Sequence, residues 1–207
     1  MKPLLRKLVH PIALVVALAF AIGWVADRTW SEHALEAGTA LRVDLEGLVD
    51  RADIVIEGRV KRATSRPAPG RIETEYEIEI ERTFLGEERQ TRTFVMPGGV
   101  LPDGTGMILP GVACLRTGEE AILFLSRKST AGMRIPIGLS QGRFRVETPI
   151  HGRRMVVREH GDLGLLDPES GALHEARRAD RHDYAELVAK IHAACDLRRR
   201  RGEEKEN

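Results

Sequence analysis

The string Gly138-Leu139-Ser140-Gln141-Gly142 matches the G-x-S-x-G pattern of serine hydrolases, and candidate partners follow it in the order acid, then base: Asp162 or Asp167, then His174, His182 or His192. That chemistry needs a strand-to-helix turn that lifts the hydroxyl over a parallel sheet, within reach of an imidazole. Here the string runs into Arg143-Phe144-Arg145-Val146, an alternating strand pattern, with no helix and no βαβ units around it. A glycine-bounded hairpin connection accounts for it better. No catalytic residue is assigned, and a serine hydrolase using Ser140 is carried as the alternative.

Metal chemistry finds less support. His174-Glu175 opens like a zinc helix, but the second histidine would have to stand at 178, which is Arg178. His182 and His192 fall on nearly opposite faces of the helix expected there, not at the i,i+4 spacing of a metal pair. No metal or cofactor is expected. Cys114 and Cys195 are the only cysteines. A disulfide between them would close a long loop and stabilise by roughly 3–5 kcal/mol in the chain-entropy model. Two separately buried thiols are the other reading.

The remaining candidate is a surface. Residues 97–111, PGGVLPDGTGMILPG, form a long Gly/Pro-rich loop, the kind of segment that carries binding residues on a rigid scaffold. No Lys-Ser/Thr pair follows the glycines, so it is not a phosphate loop, and Asp103 with Gly104 and Gly106 is turn chemistry. Gly98, Gly99, Asp103, Gly104 and Gly106, with Arg143 and Arg145 on a nearby strand, make up the candidate binding surface.

These residues need a scaffold, and the patterning predicts one built mainly from strands. Residues 42–49 form a short amphipathic segment with Leu45, Leu48 and Val49 at helical spacing and Asp44 as N-cap. Residues 53–61 place Ile54, Ile56 and Val60 on one face and Val55, Glu57, Arg59 and Lys61 on the other, with Gly58 interrupting as at a bulge. A proline-rich loop follows at 64–71. Residues 73–84 alternate most cleanly: Tyr76, Ile78, Ile80 and Phe84 point one way, and Glu75, Glu77, Glu79 and Glu81 the other. Antiparallel pairing would set Arg59 and Lys61 opposite some of those glutamates, on a solvated face. Further strands are expected at 92–96, 120–126 (the central one), 134–137, 143–147 and 154–158, with Arg143, Arg145, Arg154 and Arg158 giving the last two a basic outer face. After a loop over 161–179, a helix beginning near Asp180 carries Tyr184, Leu187, Val188, Ile191 and Cys195 on one stripe.

The N-terminus states a compartment. Lys2, Arg6 and Lys7 precede a 15-residue apolar block at 12–26, which suits a signal-peptide core and falls short of the ~20 residues of a comfortable bilayer span. A cleaved signal peptide and an uncleaved membrane anchor are both open, and either makes the protein exported: periplasmic or secreted, or held to the membrane by this segment. The net charge is +1, and removing the three leader cations turns the balance slightly acidic. Nucleic acid is thereby excluded as a partner, since displacing counterions from phosphates needs a basic excess.

The pieces come in a familiar order. Ala52-Asp53-Ile54-Val55-Ile56-Glu57-Gly58-Arg59-Val60 is followed by a charged strand ending in Phe84-Leu85-Gly86, and Cys114 then precedes Gly118-Glu119-Glu120-Ala121-Ile122-Leu123-Phe124-Leu125. This order resembles the netrin-like/tissue-inhibitor-of-metalloproteinase module, an OB-type five-stranded barrel. The stretch from Gly138 to Phe144 is similar to small exported bacterial proteins of unknown function. The resemblance implies a fold. The inhibitors' zinc chelation through an N-terminal cysteine does not carry over, because no cysteine precedes Cys114.

The expected architecture is therefore a leader or anchor at 1–26, a linker at 27–41, an OB-like antiparallel β-barrel at 42–160, a loop at 161–179, an amphipathic C-terminal helix at 180–201 and a tail at 202–207. The expected function is a non-catalytic binding or structural module of the cell envelope with a protein partner.

Overall fold

Two long strands set the frame, paired as one hairpin whose register runs from Val55 opposite Leu85 to Ala68 opposite Arg71. A computed structural model describes residues 39–112, 114–148, 152–160, 163–175 and 179–206. The leader, with both its fates, lies outside the described residues. In chain order the elements are β1 (Thr39–Leu41), α1 (Leu45–Arg51), β2 (Ile54–Ala68), β3 (Arg71–Leu85), β4 (Thr91–Pro97), β5 (Gly99–Val100), β6 (Gly106–Met107), β7 (Glu120–Leu125), a 3-10 turn (Leu139–Gly142), β8 (Arg143–Glu147), β9 (Met155–Arg158), β10 (Gly164–Leu166), β11 (Leu173–Glu175), β12 (Asp180–Asp183) and α2 (Tyr184–Glu206). The fold is mainly β, with a large antiparallel sheet and a C-terminal helix.

Seven strands form the main sheet in the order β12-β9-β8-β7-β2-β3-β4. Its outer strands, β12 and β4, do not pair with each other, so the sheet is open and no closed barrel forms. β7 is central, between β2 and β8, as its continuous apolar run predicts. Alternation along β7 divides the core in two. Ile122 and Phe124 face α1 and α2, with Val55, Phe144, Val156, Leu48, Ile191 and Cys195. Ala121, Leu123 and Leu125 face the other side, with Ile56, Tyr76, Ile78, Phe94 and Leu115.

Asp44 caps α1, its carboxylate accepting from Gly47 N–H at 2.7 Å. The glutamate face of β3 is paired across to β2, Lys61 with Glu79 at 3.0 Å and Arg62 with Glu77 at 2.8 Å. Such exposed pairs contribute about 0–1 kcal/mol each. Gly58 lies at a register shift, and a Cβ there would stand 2.4 Å from the Glu79 carbonyl oxygen. The bulge belongs at glycine because no side chain fits.

Several expectations are corrected. Residues 64–68 continue β2, and Pro67 sits opposite Ile72 near the hairpin tip rather than in a loop. Phe84 packs on the helix side, opposite Tyr76 and Ile78, because the extra β3 residue at the Glu57/Gly58 shift inverts the side-chain parity between Ile80 and Phe84. Residues 134–137 make only an isolated bridge, Leu125 to Pro136. The segment expected as loop from 161 holds β10 and β11, which form a separate small sheet with β1. Residues 180–183 pair with β9 as a strand, so the helix begins at Tyr184, where Asp183 accepts from Glu186 N–H. The stripe of Leu187, Val188, Ile191 and Cys195 is buried as predicted.

Candidate functional site

The cysteines do not pair. Cys195 is buried against the helix side of the sheet, whereas Cys114 is exposed on the opposite side, next to Leu115 and near enough to Tyr76 to help burial push that hydroxyl's pKa up. The sheet itself separates the two thiols.

Ser140 sits in the 3-10 turn, 6 % exposed, and its hydroxyl donates to the His160 backbone carbonyl at 2.9 Å. The His160 ring faces Asp180, Nε2 to Oδ2 at 2.9 Å. Serine, histidine and aspartate thus come near one another, but among the described residues no imidazole nitrogen accepts from Ser140 Oγ. The neighbouring Gln141, fully buried, accepts from Val43 N–H and donates to the Leu41 and Gly138 carbonyls, while Arg158 donates to the Gln141 and Val43 carbonyls. Burial lowers the Arg158 pKa to about 10. The turn is a polar lock that ties β1 and the start of α1 to β8 and β9.

The four strand arginines do not share a face. Register sets Arg158 beside Phe144 on the helix side, and Arg145 beside Val157 on the other. Arg143 is buried between Glu119, at 2.7 Å, and Glu159, at 3.3 Å, and Arg145 bonds Glu159 and Glu147. Arg154 lies over the Tyr184 ring and pairs with Glu120 and Glu57. The loop of 97–111 folds onto the far tip of the β2–β3 hairpin. Thr74 Oγ1 donates to the Gly98 carbonyl at 2.6 Å, and Gly99 takes φ +136° against Thr74 and Ser65. Asp103, Gly104 and Gly106 are exposed at its end. Among the described residues no hydrogen bond or ion pair joins this loop to Arg143 or Arg145, whose charges are spent locally.

Glu57, Glu81 and Glu120 bring carboxylate oxygens within 4.8 Å of one another. Arg59, Arg82 and Arg154 already reach these acids, and Tyr184 O–H donates to the buried Glu57 at 2.7 Å. A cation would have to compete with three guanidinium groups, so the cluster is an ion-paired node joining α2 to the sheet.

Cations without a matching acid lie elsewhere. A cavity of about 470 Å³ opens at the edge strand β4, lined by Arg89, Thr91, Arg92, Thr93, Phe94, Lys128, Gly132 and Arg134. The turn after β3 brings Arg89, alternation along β4 brings Arg92, and the 127–134 segment, tied by Arg134 N–H to the Val95 carbonyl at 3.0 Å, brings Lys128 and Arg134. Among the described residues only two acids answer these four cations: Glu87 accepts from Arg89 at 2.6 Å, and Asp53 from Arg134 at 2.6 Å. Arg92 donates Nη2–H to the Glu87 backbone carbonyl, and among the described residues its buried Nε has no partner and Lys128 makes no ion pair. Burial, then the Arg89 and Arg134 charges, lower the Arg92 pKa. Convergent cations with spare donors, hydroxyls at Thr91 and Thr93, and a concave wall form a site for an anion.

Fold and site together define an open antiparallel β-sheet module with a basic pocket on one edge. No family model, no curated protein and no solved structure matches the chain.

Proposed function

We propose that this protein is an exported, non-catalytic binding module of the cell envelope, and that it holds an anionic group of a protein partner in the pocket on β4. The observation that carries this reading is the imbalance of four cations over two acids around a cavity lined by Arg92, whose buried Nε has no partner among the described residues. Charged residues also guard edge strands against aggregation. A guard would splay its charges into solvent, whereas here they converge over a buried, unsatisfied donor.

Export rests on the basic head and apolar block of the leader. Among the described residues no helix is long and apolar enough to cross a membrane, and the leader is not among them. Strand order supports an OB-type relation: β2, β3 and β4 form a meander, and β7 and β8 extend it from the other side of β2. At Ser140 the hydroxyl donates to a backbone carbonyl and not to an imidazole, which supports the non-catalytic reading over the hydrolase alternative.

Calorimetric titration of inorganic phosphate into the full-length chain tests the reading. Binding that weakens with added salt and falls about tenfold in Lys128→Ala supports it. Equal heats from wild type and variant overturn the assignment of the pocket.

A further inference from the structure

The pocket lies along a strand edge whose outward backbone groups at Thr91 and Thr93 have no bonding partner among the described residues. β4 is the last strand of the sheet, bonded on its inner side to β3 with Arg92 opposite Ile78 and Phe94 opposite Tyr76. Two bonds fix which way its peptides face. Ile80 N–H donates to the Gln90 carbonyl, so the even positions turn inward, and the Val95 carbonyl accepts from Arg134, so the odd positions turn outward. Alternation then sends the N–H and C=O groups of Thr91 and Thr93 out of the sheet, into the cavity that both residues line.

The same edge already accepts a strand. Met133 bridges to Val95 in parallel register, and the chain before it turns away through 129–132, where Gly132 N–H donates to the Ser129 carbonyl. Added pairing thus stops at Val95, two residues from Thr93. The 128–134 segment forms the far wall of a groove whose near wall is the bare edge of β4.

We infer that the occupant is an extended acidic peptide segment of the partner, which adds to the sheet beside Thr91 and Thr93 and places its carboxylates among Arg89, Arg92, Lys128 and Arg134. This deepens the anion-site reading and rests on it. Main-chain bonds to an open edge give affinity without sequence, and side chains of alternate residues give selectivity. Charge complementarity picks acidic residues for those positions, since the groove holds two cations more than its acids neutralise.

The test uses a capped Thr-Glu repeat of about eight residues, long enough to pair as one strand, together with the same peptide methylated at its central amide nitrogens. Amide spectra of the full-length chain report where each binds. The unmethylated peptide is expected to shift the Thr91 and Thr93 amides and to bind about tenfold more tightly than the methylated one, the effect of two ordinary hydrogen bonds. Equal affinity of the two peptides would overturn strand addition and leave a site that reads charge alone. Shifts with inorganic phosphate but with neither peptide would also overturn it while sparing the anion site. If neither phosphate nor peptide shifts the pocket amides, the anion reading falls, and the strand inference falls with it.

Discussion

Arg92→Met should move stability and binding in opposite directions. The buried Arg92 Nε has no partner among the described residues, and an unsatisfied buried donor costs about 1–3 kcal/mol. Repulsion from Arg89 and Arg134 adds a few tenths of a kcal/mol once solvent screens it. The substitution removes both terms and keeps an unbranched apolar stem against Phe94. It also removes the bond to the Glu87 carbonyl, about 0.5–1.5 kcal/mol, but that residue is exposed and water can replace the donor. The balance is a gain of about 1 kcal/mol, or roughly 2–4 °C in Tm for a domain of this size. Phosphate affinity should fall about 10- to 100-fold, the effect of losing a charge-assisted hydrogen bond of about 1.5–3 kcal/mol. Urea unfolding followed by circular dichroism, with titration calorimetry on the same sample, reads both quantities. A variant that loses more than about 1 kcal/mol while binding phosphate unchanged would refute the reasoning and make Arg92 a structural residue.

The other predictions concern the scaffold. Gln141→Leu should cost about 2–4 kcal/mol in urea unfolding, because Val43 N–H and the Leu41 carbonyl lose their partners, and amide exchange should quicken first in β1. The bond from Arg145, above all, holds the Glu159 carboxyl below the usual carboxylate range. Its folded pKa therefore lies under the unfolded one, so it contributes stability above the unfolded pKa, and that contribution is lost as pH falls through the folded value. Arg145→Gln should move Glu159 up toward the ordinary range in a carboxyl NMR titration and weaken the fold's resistance to acid. Ser140→Ala should cost about 1 kcal/mol, one buried hydrogen bond, and leave ester hydrolysis at the wild-type background. A wild-type rate above background that the variant abolishes would restore the hydrolase alternative.

Much of the fold is legible where local pattern and tertiary role agree. The alternation of Tyr76, Ile78 and Ile80 with glutamates, the apolar run of β7, the Asp44 cap and the α2 stripe are each specified within a few residues. Elsewhere the cause is non-local. Asp180–Asp183 carries charged residues with no β-branched side chain, and it is a strand only because β9 offers it an edge. Phe84 changes sides because of a bulge whose position depends on pairing with β2. Arg143 and Arg145 read as surface charges until Glu119 and Glu159 are seen to close on them. The basic pocket had no local signature. Arg89 and Arg92 come from one turn and strand, Lys128 and Arg134 from another segment, and the register that joins Val95 to Met133 brings them together. The run of basic residues at 127, 128 and 134 beside a glycine turn was the one hint in the sequence, and it reads equally well as a solvated loop.

The most direct measurement of the central claim is an amide NMR titration of the full-length chain with inorganic phosphate at low ionic strength. The account predicts saturable shifts confined to Thr91, Arg92, Thr93, Gly132 and their neighbours, reversed by salt and absent in the Arg92→Met, Lys128→Ala double variant. Shifts scattered over the surface, or unchanged in the double variant, would contradict it.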